Sequence, residues 1–315
     1  MGGAVPQYRP GSAAARHACL SKNDWRAQIA PGILSRMSLF RATDAPGGPS
    51  MLDLVRLSPA PVFPPGGEAL YRQIARLVEL EPGKEVLDVA CGRGVSTLFL
   101  SSTYGVDASG VDPDERLIRE AEGRSREQGE EGRVTFQAGA LDDLPYRDGI
   151  FDVTIGEIGL AASVDPGAAV RELVRVTKPL GSVVLVQLIW TGNVDPRRRD
   201  ILVRHLGARP MILVEWKQLL RDAGAVDLLV EDWSDAPSPF RPAAPFHDFA
   251  EMFTLREKLR ILRRALGRWG WSGVRGALVR EREIHNLLTR ERALGLSLIK
   301  GTRWIPDAGP AAPQG

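Results

Sequence analysis

Two aspartates, Asp88 and Asp112, each lie in a short apolar run, and a loop of small residues follows the first run. The runs read EVLDV and ASGVD, and residues 90–94 between them read ACGRG. A strand that ends at small residues and continues into a helix directs backbone N–H groups and the positive end of the helix dipole into one crevice. An acid at the tip of the next strand accepts hydrogen bonds from a ribose there. The pattern predicts a site for an adenosine-containing ligand.

The spacing of the glycines separates two classes of such ligand. A dinucleotide-binding loop needs a third glycine three residues after the second, so that the helix packs closely beneath a pyrophosphate. Gly92 and Gly94 are present, but Thr97 occupies the third position. The loop therefore favours a ligand without a pyrophosphate. A nicotinamide-dependent oxidoreductase stays open as an alternative, because the spacing of Asp88 and Asp112 also suits it.

Strands and helices alternate after about residue 68, which predicts an α/β fold with a doubly wound, mostly parallel sheet. The predicted strands are 85–89, 108–111, 134–137, 151–155 and 182–188, and the predicted helices are 95–102, 114–126, 166–176 and 214–223. Two further strand-like stretches, 226–233 and 293–300, follow this alternating part.

Composition limits the possible functions of the 315-residue chain. Its 41 basic and 39 acidic residues leave a formal charge of +2, so nothing predicts a nucleic-acid partner. The most apolar run, 183–190, is far shorter than the roughly 20 residues of a membrane span. Cys19 and Cys91 are the only cysteines, which predicts a soluble protein in a reducing, cytoplasmic setting. No metal site is predicted, because the histidines are dispersed: His17, His205, His247 and His285.

Four motifs in order carry a resemblance to a known family. They are DVACGRG, GVDP, AGALDDLPYRDGIFDV and RELVRVTKPLGSVVLV, and they lie between about residues 67 and 233. In this order they resemble the class I S-adenosylmethionine-dependent methyltransferases, in particular the small-molecule enzymes of the methyltransferase 11/25 type. The resemblance implies a seven-stranded Rossmann-like sheet, with 226–233 and 293–300 as an antiparallel pair at one edge and a helical cap between them.

The same resemblance implies a division of the chain into three parts. Residues 64–304 would be the methyltransferase domain, with lid or cap segments at 191–212 and 235–292. Residues 1–63 would be a largely disordered or loosely docked extension, and residues 305–315 a disordered tail.

The cofactor implied by the resemblance is S-adenosylmethionine. Its methionine end would lie against Ala90 and the backbone from Gly92 to Gly94, with Asp88 holding the loop through backbone or water contacts. Asp112 would bind the ribose and Pro113 would pack near the adenine. At the adenine turn, relatives have Gly-Asp-Ala where this chain has Gly139, Ala140 and Leu141. Recognition would then fall to a backbone N–H near Leu141 and to apolar contact with its side chain. Asp142 is either a substitute for the missing acid or a solvated turn residue. Cys91 lies within the loop, where it is expected to pack and not to react.

Glu157 follows the fourth strand, where the resemblance places the methyl group and the acceptor. The carboxylate would act as a base, orient the acceptor or contact the ammonium of the cofactor. Methyl transfer from a sulfonium is an in-line displacement, so alignment of the reactants supplies most of the acceleration. A base is needed only where the acceptor must lose a proton. Glu157 is therefore expected to line the site.

The resemblance implies methyl transfer to a small molecule. No Asn-Pro-Pro-Tyr or Pro-Cys motif follows the fourth strand, which argues against methylation of DNA. A cofactor-binding protein without transferase activity remains the second alternative, since Ala140 departs from the family pattern. The acceptor would lie under the cap. In the cap, an arginine-rich helix is expected to pack an apolar stripe over the site and turn its arginines to water, with a membrane surface or an anionic partner as the alternative. The stripe is Met252, Leu255, Leu259, Leu262 and Leu266.

Overall fold

A computed structural model describes residues 48–58, 62–163, 165–234 and 254–304. Its core is one seven-stranded sheet with the order β3-β2-β1-β4-β5-β7-β6. The strands are β1 (Glu85–Val89), β2 (Asp107–Asp112), β3 (Val134–Ala138), β4 (Phe151–Gly156), β5 (Thr177–Trp190), β6 (Ala225–Asp232) and β7 (Leu294–Arg303). β7 is antiparallel to both of its neighbours, and the other strand pairs are parallel. The predicted sheet, with an antiparallel pair at one edge, is confirmed.

Eight α-helices and one 3₁₀ helix flank the sheet in the described part of the chain. They are α1 (Met51–Arg56), α2 (Gly67–Leu77), α3 (Val95–Tyr104), α4 (Glu115–Gln128), the 3₁₀ helix (Ile158–Ala162), α5 (Pro166–Val176), α6 (Pro196–Leu206), α7 (Leu213–Asp222) and α8 (Leu255–Thr289). Local sequence explains where α4 and α5 begin. Asp114 and Asp165 are N-caps whose carboxylates accept from backbone N–H groups, and Pro166 provides a fixed φ at the start of α5.

The strand order reverses between β1 and β4, and this reversal opens a crevice at their carboxyl ends. Asp88 pairs in register with Ile155, and Val89 pairs with Gly156. The loop after β1 and the loop after β4 therefore leave the sheet side by side, and residues that follow these two strands can share one site.

One continuous core joins the sheet to elements outside the alternating part. Leu70 and Ile74 of α2, Leu202 of α6 and Leu287 of α8 belong to the same buried cluster as the central strands. A second cluster joins α1 to α8 through Leu54, Ile261, Ala265, Val274 and Ala277. Among the described residues, no helix is long and apolar enough to cross a membrane.

Parts of the expected extension and lid have a definite structure. Residues 1–47, 235–253 and 305–315 lie outside the described residues. Residues 48–58 include α1, which packs on α8. The arginine run at 197–199 lies in the first turn of α6, where the Arg199 guanidinium is 5.2 Å from the centre of the Trp190 ring.

The predicted apolar stripe of the arginine-rich helix is wrong in its register. Leu255 and Leu259 are 73% and 59% exposed, whereas Ile261 and Ala265 are buried. Both sets step by four residues, so periodicity alone did not choose between them. The contact with α1 decides which face is buried. Met252 of the predicted stripe lies outside the described residues, and of the other four only Leu262 and Leu266 are partly covered. Gly270, with φ 68°, divides α8 into two helical segments.

We expect Ile261→Ala to lower the free energy of unfolding by about 2–5 kcal/mol, because it leaves a cavity in the cluster between α1 and α8. The matched substitution Leu259→Ala removes an exposed side chain and should change stability by less than about 0.5 kcal/mol. Urea denaturation of both variants tests the corrected register. Equal losses of stability would contradict it.

Candidate functional site

The loop between β1 and α3 is a tight turn held against β2. The N–H groups of Ala90 and Cys91 donate to the Val111 carbonyl at 2.8 and 3.1 Å, and Gly94 N–H donates to the Cys91 carbonyl at 2.9 Å. Ala90, Gly92 and Gly94 have φ values of 64°, 55° and 68°. Three left-handed residues within five positions turn the chain sharply enough to bring the start of α3 next to the end of β1.

Ala90 is the unusual residue of this loop, because left-handed backbone costs a residue with a Cβ roughly 1–2 kcal/mol. Its methyl group lies against Gly159 of the 3₁₀ helix, where an added Cβ would be 2.8 Å from the Ala90 Cβ. The loops after β1 and β4 thus meet at van der Waals distance. Glycine at position 159 is required by the side chain at position 90.

Phe136 of β3 supports the loop from the other side, a role that sequence reasoning missed. A Cβ on Gly110 would be 2.5 Å from the Phe136 ring, and one on Gly94 would be 2.4 Å from it. The ring therefore occupies the space that both glycines leave. The signal in the sequence was the glycine within the β2 run, which an isolated strand does not need.

Asp88 is fully buried and joins β1 to α3. The hydroxyls of Ser96 and Thr97 both donate to its Oδ2 at 2.7 Å, while Oδ1 has no hydrogen-bond partner among the described residues. Burial raises the pKa of Asp88 to about 6, and the two hydroxyls oppose that rise. Asp88 thus fixes the loop through side-chain hydroxyls, where backbone or water contacts were expected.

Asp112 lies at the end of β2 and is 3% exposed. Its Oδ2 accepts from Gly92 N–H and its Oδ1 accepts from Asp114 N–H, each at 2.9 Å. Burial raises the pKa of Asp112 to about 6, and these two hydrogen bonds oppose the rise. Each carboxylate oxygen has a second lone pair, so both oxygens can still accept a hydrogen bond.

The turn after β3 lies beside Asp112, since Gly139 N–H donates to the Asp112 carbonyl at 3.2 Å. Leu141 is buried there, whereas Ala140 and Pro113 are exposed. Asp142, considered as a substitute for the missing family acid, is exposed as well. The side chains at positions 140 and 141 leave this end of the crevice apolar, with backbone groups available for recognition.

Glu157 follows β4 and is 3% exposed. Its N–H donates to the Val89 carbonyl at 3.0 Å, and the Tyr71 hydroxyl donates to its Oε1. The Gln187 amide donates to the carbonyls of Gly156 and Glu157 at 3.0 and 2.8 Å. Burial, and then the charge of Asp88, hold the pKa of Glu157 well above its usual range. Sequence reasoning missed Tyr71 and Gln187, because they come from α2 and β5.

Three buried oxygens around this crevice have no hydrogen-bond donor within the described residues. They are Asp88 Oδ1, Glu157 Oε2 and Gln187 Oε1. A buried acceptor left without a donor costs about 1–3 kcal/mol, so native proteins seldom keep one without a reason. The crevice is therefore suited to a ligand that brings N–H donors or a positive charge.

The segment before α2 reaches this site through Arg93. The Arg93 guanidinium pairs with Glu120 at 2.8 Å and donates to the carbonyls of Arg56 and Ser58 at 2.9 and 3.2 Å. Arg56 in turn lies 3.5 Å from the Asp114 carboxylate. These contacts bring α1 to the outside of the loop. The sequence gives no signal of this arrangement, because Arg93 lies 35 and 37 positions from Ser58 and Arg56.

Other candidate residues take no part in this constellation. Cys91 is buried next to Gly110, and burial raises the pKa of its thiol well above the usual value, which suits packing and not nucleophilic attack. His205 is buried and bonds Glu281 at 2.8 Å on α8. In the described ranges, no group of three or more His, Cys, Asp or Glu side chains could hold a metal. His17 and His247 lie outside those ranges.

The chain is similar in sequence to known methyltransferases. Residues 86–181 match the family described as "Methyltransferase domain". The chain is 24% identical over 205 residues to norajmaline N-methyltransferase of Rauvolfia serpentina, covering 62% of this chain and 68% of that protein. It is 27% identical over 208 residues to a probable tocopherol O-methyltransferase of Oryza sativa subsp. japonica, covering 62% and 54%. Over residues 86–181 the chain is therefore similar to methyltransferases, the group of enzymes that its sequence motifs resemble.

Solved structures show the same fold. Phosphoethanolamine N-methyltransferase 2 of Haemonchus contortus superposes with a TM-score of 0.61 at 17% identity, over 77% of this chain and 54% of that one. The structure described as the [4+2]-cyclase SpnF superposes with a TM-score of 0.57 at 21% identity, over 75% and 80%. The matches to the curated relatives span between about a third and two thirds of those proteins.

The family match covers only part of the chain. Residues 86–181 contain β1 to β4, the loop with Ala90 and the Glu157 position. The elements α2, α6, β6, α8 and β7 lie outside the match. Tyr71 contacts Glu157 but lies outside residues 86–181, the part of the chain that the family model matches.

We expect Ala90→Gly to raise the free energy of unfolding by about 0.5–1 kcal/mol. Relief of the left-handed strain exceeds the entropy that glycine loses on folding. The control Ala69→Gly, at an exposed position in α2, should lower stability by about 1 kcal/mol. Urea denaturation of the two variants gives opposite signs if Ala90 is strained, and the same sign if it is not.

Proposed function

We propose that the chain binds S-adenosylmethionine at the carboxyl ends of β1, β2 and β4 and transfers its methyl group to a small-molecule acceptor. The observation that carries this proposal is a pair of buried carboxylate oxygens beside the loop after β1, Asp88 Oδ1 and Glu157 Oε2, for which the described residues supply no donor. A cationic amino group supplies both the donors and the charge that these oxygens lack. A nicotinamide dinucleotide carries its charge at a pyrophosphate, which two carboxylates would repel.

The residues present suit each part of this cofactor. Its ammonium would face Asp88, Glu157 and the Ala90 carbonyl, and its carboxylate would lie along the backbone from Gly92 to Gly94. A Cβ built on Gly92 meets nothing within 4 Å, so open space adjoins the loop at that point. The two oxygens of Asp112 retain lone pairs for the ribose hydroxyls.

The adenine would lie in the apolar end of the crevice, beside Leu141 and Pro113. Ala140 offers no carboxylate to the exocyclic amine, so recognition there would fall to backbone groups of the turn after β3. Hydrogen bonds to backbone groups distinguish adenine less strictly than a carboxylate, but packing against Leu141 contributes apolar contact.

When bound, S-adenosylmethionine supplies a methyl group activated by the sulfonium. The chain's own residues hold the reactants in line and exclude water, and this orientation accounts for most of the acceleration. Glu157 holds the ammonium in this proposal and removes no proton from the acceptor. Tyr71 and Gln187 are positioning residues, because one fixes the carboxyl group and the other fixes the backbone of Glu157.

In this proposal the methyl acceptor is a small molecule, and it is neither a nucleic acid nor a protein. The relatives named as alkaloid and tocopherol methyltransferases support that class. The elements after Trp190 would form the acceptor side, with residues 191–212 and 235–292 as the cap of a domain spanning 64–304. The near absence of cysteine supports a cytoplasmic setting.

A second candidate is small-molecule chemistry other than methyl transfer on the same fold. Its support is the structural neighbour described as a [4+2]-cyclase. Release of S-adenosylhomocysteine in the presence of candidate acceptors separates the two, since only methyl transfer consumes the cofactor.

We expect Glu157→Gln to weaken binding of S-adenosylhomocysteine about tenfold or more, because a charged acceptor for the ammonium is lost. Binding of 5′-methylthioadenosine, which lacks the amino acid part, should be unchanged. Isothermal titration calorimetry measures both affinities. Glu68→Gln, an exposed change in α2, is the control.

The pair of ligands distinguishes the possible roles of Glu157. Equal weakening for both ligands would show that Glu157 acts on the fold of the crevice and not on the ammonium. Unchanged affinity for both, with slower turnover, would identify Glu157 as a base and contradict the assignment above.

We expect Asp112→Asn to weaken S-adenosylhomocysteine binding by about 1–3 kcal/mol, because the amide cannot accept from both ribose hydroxyls. Asp107→Asn, at the other end of β2, should leave the affinity unchanged. Calorimetry with NADH should detect no binding. If Asp112→Asn binds as tightly as the unchanged chain, Asp112 does not contact the ligand.

The same variant carries a pH signature. As pH falls through about 6, Asp112 gains a proton, so binding by the unchanged chain should weaken while that of Asp112→Asn responds less. The free energy of unfolding of the ligand-free protein should instead rise as pH falls through this range. A pKa raised on folding stabilises the fold at low pH, and this contribution is lost as pH rises from about 4 through about 6.

A further inference from the structure

One face of α8 after Gly270 combines large apolar side chains with arginines. Trp271, Arg275, Leu278, Val279 and Arg282 follow one another at intervals of three, four or one, which places them on one side of a helix. Trp271, Leu278 and Val279 are 66%, 52% and 63% exposed, and both arginines are exposed. This set of five residues is the outer face of α8.

The opposite side of the same segment is buried. Val274 and Ala277 pack in the cluster with α1, and Glu281 bonds His205 of α6. The helix is thus anchored by one side, and its outer face is not needed for that anchoring. Exposing a tryptophan and two aliphatic side chains together is unfavourable in water and marks a binding surface.

The segment of α8 before Gly270 also exposes both apolar side chains and arginines. Leu255 and Leu259 are exposed, as are Arg256, Arg260 and Arg263. The whole helix contains nine Arg or Lys residues and three Glu residues, although the chain as a whole has a formal charge of only +2. Positive charge is therefore concentrated on this helix.

We propose that the outer face of α8 docks on an anionic lipid bilayer. Tryptophan and leucine side chains bury in the boundary between headgroups and acyl chains, and arginines bind the lipid phosphates while their methylenes remain in apolar surroundings. Anionic lipids supply the opposite charge that this helix requires. The proposal concerns α8 alone and does not depend on the cofactor or on methyl transfer.

Two other occupants suit the face less well. A second copy of the chain, joined through the same face, would bring the two sets of arginines together and incur repulsion. A nucleic acid would pair with the arginines but would leave Leu278 and Val279 without apolar contact. Both are outcomes of the experiment below.

The test is co-sedimentation of the full-length chain with vesicles of phosphatidylcholine, with or without phosphatidylglycerol. We expect binding to the vesicles that contain phosphatidylglycerol, little binding to pure phosphatidylcholine, and weaker binding at high salt. The double variant Trp271→Glu with Leu278→Glu should reduce binding at least tenfold. Arg275→Gln with Arg282→Gln should reduce it roughly thirtyfold, at about 1 kcal/mol for each arginine.

The control is Val214→Glu, which places the same charge at an apolar side chain that is 67% exposed on α7. It should bind the vesicles like the unchanged chain. Thermal unfolding of every variant shows that the fold is kept, since all the changed side chains are exposed. Equal binding to both kinds of vesicle, or no binding to either, overturns the proposal.

Two further measurements identify the competing occupants. Analytical ultracentrifugation without lipid would show a dimer lost in Trp271→Glu with Leu278→Glu if the face binds a second copy. Binding to duplex DNA that needs the arginines but not Trp271 or Leu278 would indicate a nucleic acid. Either result would overturn the bilayer proposal.

Discussion

The structure depends on one fully buried carboxylate, that of Asp88. Its Oδ2 accepts hydrogen bonds from the Ser96 and Thr97 hydroxyls of α3, and its Oδ1 has no donor in the described part of the chain. The Glu157 carboxyl lies in the same crevice. Burying each of these acids is unfavourable, and burial is the main cause of the raised pKa of both. The cost is acceptable in a binding site, because a cationic ligand removes it. In the proposed function, binding of the cationic amino group would recover the free energy that burying these acids costs.

Close packing of backbones positions these acids. The loop after β1 can turn only because Gly94 leaves room for Phe136, and the loop after β4 can approach only because Gly159 has no side chain to meet Ala90. A residue with a Cβ in left-handed backbone is strained, and strained residues tend to occur at sites where geometry serves function. Because Ala90 contacts Gly159, a substitution in the loop after β1 also affects the packing of the loop after β4.

Elements from outside the family match contribute to the site. Tyr71 comes from α2, and α1 reaches Arg93 from the segment before it. α8 packs on α1 with one side and presents apolar and basic side chains on the other. The two sides of this helix therefore differ: one side packs against α1, and the other is the face that we propose docks on a bilayer.

The sequence by itself determined the sheet and the residues at its carboxyl ends. Alternating apolar runs, glycines in a loop and acids at strand tips are local patterns, so Asp88, Asp112 and Glu157 were found without the structure. The tertiary structure decided which groups meet those acids. Tyr71 and Gln187 come from elements distant in sequence, and no local sequence pattern predicts that either contacts Glu157. It also decided which stripe of α8 is buried, because two stripes with the same period differ only in what packs against them.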